Sequence, residues 1–178
     1  MRPNRHRRRP RLDERVYGGR GTAVSITVCC QDRVPVLADR PHAADTVVDT
    51  LRGLHGDDWR VLGYCVMPDH FHVLVLTRGR SIIEFVRLLK GRTATQLRRD
   101  SGIVGLWQTS FHDHLLRREE DILAVMRYIF ENPVRKGLVK EWPRYPWCGS
   151  LEWSDIDSEF FARTGSDVVW REALRGGG

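Results

Sequence analysis

Two histidines one residue apart, His70 and His72, stand inside the stretch Met67-Pro68-Asp69-His70-Phe71-His72-Val73-Leu74-Val75-Leu76. Its second half alternates aromatic and branched apolar residues with others, the pattern of a β-strand. Successive strand side chains point to opposite faces, so His70 and His72 share one face while Phe71 and Val73 take the other. Two imidazoles side by side on a rigid strand form half of a metal site. Pro68-Asp69 is turn chemistry, which would leave the pair at a sheet edge or mouth that a substrate can reach. Half-buried, hydrogen-bonded histidines show the same spacing, so His-x-His alone leaves the metal open.

A second reactive group is Tyr128. It lies in a helix whose apolar stripe is Ile122, Val125, Met126 and Ile129, and it falls off that stripe, beside Arg127 and ahead of Arg135-Lys136. A phenol directed away from the core can attack a phosphodiester when a metal-polarised phosphate or nearby positive charge assists it. The plainer alternative is a rim residue of an amphipathic helix.

These groups must be held by the elements around them. Thr22 to Cys30 alternates as a first strand, and a loop with Pro35 and Pro41 follows. Ala44, Val47, Val48, Leu51 and Leu54 recur at helical spacing. Trp59–Met67 and His70–Thr77 read as strands whose short connection makes them antiparallel neighbours. Ser81-Ile82-Ile83-Glu84 resembles a capping box opening a helix to about Arg99, with Ile82, Val86, Leu89 and Leu97 on its apolar face. Phe111 to Arg117 reads as a fourth strand, and Glu119, Glu120 and Asp121 are expected in the first turn of the next helix, where acids complement the dipole. Strand, helix, strand, strand, helix, strand and a further helix is the split β-α-β order. The expected fold is α+β, a ferredoxin-like antiparallel sheet with helices on one face plus a C-terminal tyrosine-bearing helix.

Composition bounds the rest. The 178 residues suffice for one domain with a core. No apolar run approaches the roughly 18–20 residues of a membrane helix. Cys29, Cys30, Cys65 and Cys148 lack Cys-x-x-Cys spacing, which argues against a zinc knuckle or disulfide framework and makes a reducing cytoplasm the expected location. The net charge of +6 is segregated. Residues 1–15 hold seven arginines against Asp13 and Glu14, and Arg80 to Arg99 holds six basic residues against Glu84. After residue 150, six acids oppose three arginines. The division expected is a flexible basic arm (1–20), one catalytic domain (21–150) and an acidic tail (151–178). Such an arm and a basic helix suit nucleic acid.

Taken together, Met67-Pro68-Asp69-His70-Phe71-His72, Leu89-Lys90-Gly91-Arg92, Trp107-Gln108, Asp113-His114, Tyr128-Ile129-x-x-Asn132-Pro133-Val134-Arg135-x-Gly137-Leu138-Val139 and Tyr145-Pro146-Trp147 resemble the single-tyrosine HUH transposases, above all the REP-associated tyrosine transposases. The resemblance spans roughly residues 22–150. It implies a metal-dependent single-strand DNA endonuclease and strand transferase. In that reading His70 and His72 bind Mg²⁺ or Mn²⁺, and Tyr128 forms a 5′-phosphotyrosine and frees a 3′-hydroxyl. Asn132, one turn beyond the tyrosine, is the implied third ligand, although Pro133 disfavours helical geometry there. Asp69, His112 and His114 are weaker candidates for that place. The implied substrate is hairpin DNA with a single-stranded flank, acted on by a monomer or a homodimer. Arg87, Lys90, Arg92, Arg98 and Arg135 are the candidate DNA contacts, and Trp107, Trp142, Tyr145 or Trp147 could stack on unpaired bases.

Rival readings fit less well. A histidine-triad hydrolase wants a third histidine, and a His-x-His-x-Asp zinc hydrolase an aspartate, where Leu74 stands. A domesticated DNA-binding regulator with the same fold and no cleavage is the non-enzyme alternative.

Overall fold

Strand β1 (Thr22–Cys29), β2 (Trp59–Met67), β3 (His70–Thr77), β4 (His112–Leu116) and β5 (Cys148–Gly149) form one antiparallel sheet in the order β4-β1-β3-β2-β5. The computed structural model describes residues 21–117, 121–154, 156 and 158–164. The basic arm, Glu119, Glu120 and the acidic tail beyond 164 lie outside them. The first four strands follow the ferredoxin-like order expected from the sequence, and β5, which no periodicity announced, adds a short edge beside β2.

Alternation along β3 divides the core in two. Phe71, Val73 and Val75 join Val24, Ile26 and Val28 of β1 in a cluster covered by α1 (Pro41–Leu54) and α2 (Ile82–Ser101). Leu74 and Leu76 point the other way, into a second cluster with Leu62, Cys65, Met67 and the buried face of α3 (Ile122–Phe130). Burying a large apolar side chain contributes roughly 1.5–3 kcal/mol, so both faces are held mainly by this packing. The two crossover helices thus share one face, and the tyrosine-bearing helix covers the face that carries His70 and His72.

Local chemistry sets the helix ends. Pro41, read from sequence as part of a loop, is instead the first residue of α1, where its missing N–H costs nothing. Ser81 caps α2 by accepting from the Ile83 N–H at 3.2 Å. Glu84 does not close the capping box; it pairs with Arg80. Gly102 ends α2 at φ 68°, a left-handed position suited to glycine. Asp121 is the N-cap of α3, not a first-turn acid, and accepts from the N–H groups of Leu123 and Ala124 at 2.9 and 3.1 Å.

One close approach seats α3. A Cβ on Gly63 would lie 3.1 Å from the Phe130 ring, so the bare glycine beside the β2 irregularity lets the end of α3 sit against the sheet.

Candidate active site

His70 opens β3 opposite Cys29 of β1 and Met67 of β2, and His72 lies opposite Thr27 and Cys65. Paired residues in an antiparallel sheet point to the same face, so Thr27 faces the same side as His72. Its Oγ1 is 2.8 Å from His72 Nδ1. His70 Nδ1 is 2.5 Å from Asp69 Oδ1. With each Nδ1 engaged from behind, both Nε2 atoms converge, 3.1 Å apart, with ring planes at 89°.

Burial disfavours the charged form of both rings. Burial, then His70 and Arg135, pushes His72 down to about 3. Burial likewise holds His70 below its ordinary value, against the pull of the Asp69 carboxylate. Burial pushes Asp69 up, but the hydrogen bond from His70 and the charge of Arg33 outweigh it and leave the carboxyl below its usual range. Neutral imidazole is the metal-binding form. The Thr27 hydroxyl can donate or accept, so His72 can present Nε2 as a lone pair when a cation arrives. A carboxylate behind a histidine is a usual outer partner of a metal-bound imidazole, and the Thr27 hydroxyl orients the second ring. The donor set therefore fits a divalent cation.

Tyr128 stands on the same face. Its ring centroid lies 6.2 Å from that of His72, within one chain, and the residue is 56% exposed. Arg135 folds back over it, its Cζ 4.0 Å from the ring centroid, and donates to the Tyr128 carbonyl at 3.1 Å. α3 ends at Phe130, and a short helical turn, Asn132–Arg135, follows it. Pro133 cannot donate to Ile129; the Asn132 Nδ2 does so at 3.1 Å and reaches the Tyr128 carbonyl at 3.0 Å. Its Oδ1, the atom a cation would take, accepts from Arg135 at 3.0 Å.

The other sequence candidates take different places around this centre. Asp69 orients His70, and His112 and His114 sit exposed on β4, where pairing with Thr27 and Ser25 turns them to the histidine face of the sheet. No cluster of three His, Cys, Asp or Glu side chains suited to a metal occurs among the described residues. Arg87, Arg92 and Arg98 are exposed on α2, which packs against the opposite face of the sheet. Lys90 holds the carbonyls of Gln108 and Thr109 at 2.6 and 3.0 Å. The candidate stacking aromatics are engaged within the fold. Trp107 bonds Thr93, Trp142 stacks on Phe130, Tyr145 bonds Val66 and Trp147 bonds Asp45.

Sequence reading missed Thr27 and Arg33. Thr27 lies 45 residues from His72, and only strand register joins them. Arg33 reaches Asp69 across 36 residues. Neither carries a local signal.

Among known proteins, the chain is 30% identical over 100 residues to a Haemophilus influenzae protein named as a REP-associated tyrosine transposase, covering 48% of this chain and 57% of that one. It is 24% identical over 110 residues to an uncharacterized protein of the same organism, of which it covers 61%. It therefore spans 57% and 61% of the lengths of these relatives. A solved REP-associated tyrosine transposase bound to a REP hairpin shares its fold, with a TM-score of 0.59, 21% identity, and coverage of 78% of this chain and 82% of that one. The family model of the IS200-like transposases matches residues 21–132, from the first strand through Asn132, and the chain belongs to that family.

Proposed function

We propose that this chain is a metal-dependent single-strand DNA endonuclease and strand transferase of the REP-associated kind, acting on hairpin DNA through a covalent tyrosine intermediate. The observation that carries this reading is the meeting, in one chain, of two convergent imidazole Nε2 atoms and an exposed tyrosine 6.2 Å from His72 by ring centroids. The names of the relatives, one of them bound to a REP hairpin, support the substrate class.

His70 and His72 would hold the cation, with the Asn132 Oδ1 as third protein ligand once Arg135 shares or releases it. Bound Mg²⁺ or Mn²⁺ would polarise the scissile phosphate and set it for in-line attack. Asp69 and Thr27 fix the two rings. Arg135 keeps the Tyr128 ring in place and brings positive charge beside the incoming phosphate. The Tyr128 oxygen loses its proton and bonds to phosphorus; the bond from phosphorus to the 3′ oxygen breaks, and that oxygen takes up a proton. The products are a 5′-phosphotyrosine and a free 3′-hydroxyl. Attack by another 3′-hydroxyl reverses the exchange and joins strands with no external energy source. Arg87, Arg92 and Arg98, exposed on α2, serve as phosphate contacts for the stem beyond the reacting bond.

The test incubates the chain with hairpin oligonucleotides drawn from the DNA flanking its gene, with Mg²⁺ or Mn²⁺, followed by a denaturing gel. A slow-migrating covalent species is expected, lost by more than about 10³-fold in Tyr128→Phe and His70→Ala. Binding without an adduct would favour the domesticated regulator, and cleavage surviving Tyr128→Phe would overturn the tyrosine mechanism.

A further inference from the structure

The geometry points to Arg33 as a DNA phosphate-binding residue of this site, its guanidinium shared between Asp69 and a phosphodiester at the histidine pair. The loop after β1 delivers it. Asp32 and Arg33 both adopt left-handed backbone, at φ 53° and 57°. Aspartate tolerates this conformation and arginine adopts it seldom, so two consecutive residues hold the chain where it costs conformational energy. Such strain persists where surrounding contacts over-determine it, and here they do. The Cys30 N–H donates to the Asp69 carbonyl at 2.8 Å, Arg33 N–H to Cys30 at 3.1 Å, and Leu37 N–H to the Pro68 carbonyl at 3.0 Å. The loop is thereby laced to the turn that precedes His70.

The outcome of that lacing is a specific contact. Arg33 NH1 lies 3.2 Å from Asp69 Oδ2, while Asp69 Oδ1 is bonded to His70. One carboxylate thus joins the arginine to the imidazole. Arg33 nevertheless remains 51% exposed, so part of its five-donor fork faces outward. An ion pair this exposed adds little to stability and gives no reason for a strained loop. A second anion does give one: the pair is flanked by Tyr128 and Arg135 on the His72 side and by Arg33 on the His70 side. A phosphodiester seated between them would meet guanidinium from both directions.

This inference rests on the proposal that hairpin DNA binds at His70 and His72. The test measures binding of the full-length chain to a hairpin oligonucleotide with a single-stranded flank, in EDTA, over a range of salt. Each phosphate contact contributes about 0.7 to 0.9 to the slope of log Kobs against log salt. Arg33→Gln and Arg33→Gly should each lower the slope by that amount. The glycine accepts the left-handed backbone and preserves the loop. Arg33→Lys should retain the slope but slow adduct formation about tenfold or more at saturating DNA, because an ammonium cannot span carboxylate and phosphate as the fork does. Wild-type slopes in both Arg33→Gln and Arg33→Gly would overturn the assignment and leave Arg33 as a prop for Asp69. A wild-type chain that binds no hairpin would overturn the DNA reading itself, and this inference with it.

Discussion

The two faces of the sheet share β3 and differ in what they leave polar. Toward α1 and α2, Phe71, Val73 and Val75 are wholly buried among apolar neighbours. Toward α3, Leu74 and Leu76 are equally buried, but the two preceding positions on that face are His70 and His72. Burial there desolvates the imidazoles without removing their partners, Asp69 and Thr27, and leaves their Nε2 atoms turned toward each other. The contrast teaches that one strand can supply stability to one side and chemistry to the other, because alternation decouples them. Substitutions on the two faces should therefore separate folding from activity.

The largest effect is expected on the apolar face. Phe71→Ala removes a ring with no exposed surface that packs edge-on against Trp107, and should cost about 3–5 kcal/mol, read from the denaturant midpoint. A loss below about 1 kcal/mol would break the division of labour. On the other face, Thr27→Val keeps the shape and removes the hydrogen bond behind His72. Mn²⁺ affinity should fall about 10–100-fold in a calorimetric titration, with the melting temperature nearly unchanged.

Acid should sharpen the contrast further. His72 is pushed down to about 3 and His70 is also lowered, so below about pH 6.5 the unfolded chain binds protons that the native chain refuses. Stability should fall as pH drops from about 6.5 toward 3, by at most about 1.4 kcal/mol per pH unit for each histidine. His72→Asn should flatten this limb in pH-resolved melts, leaving the parts due to His70 and to His55, which burial and Arg60 also lower. The smallest effect belongs to α2. Arg98→Ala should weaken hairpin binding a few-fold and reduce the salt slope by about 0.9, without changing adduct formation at saturating DNA.

Much of this was legible because it is local. The order of strands and helices, the Ser81 cap and the off-stripe position of Tyr128 follow from periodicity and end signals within a few residues. Local reading could not show which distant group a side chain meets. The Lys90 ammonium donates to the carbonyls of Gln108 and Thr109. Trp142 stacks on Phe130 at 4.8 Å.

What the sequence by itself determined was parity: His70 and His72 share a face opposite Phe71, because side-chain direction along a strand is set by the backbone's two-residue repeat. It also determined the helix stripe that leaves Tyr128 exposed. Only the tertiary structure decided that α3 docks on the histidine face rather than beside α1 and α2, seated by Phe130 against Gly63. Only strand register brought Thr27 opposite His72, and only the left-handed loop after β1 brought Arg33 to Asp69. Those placements depend on packing between segments tens of residues apart, and no local repeat in the chain encodes which of them will meet.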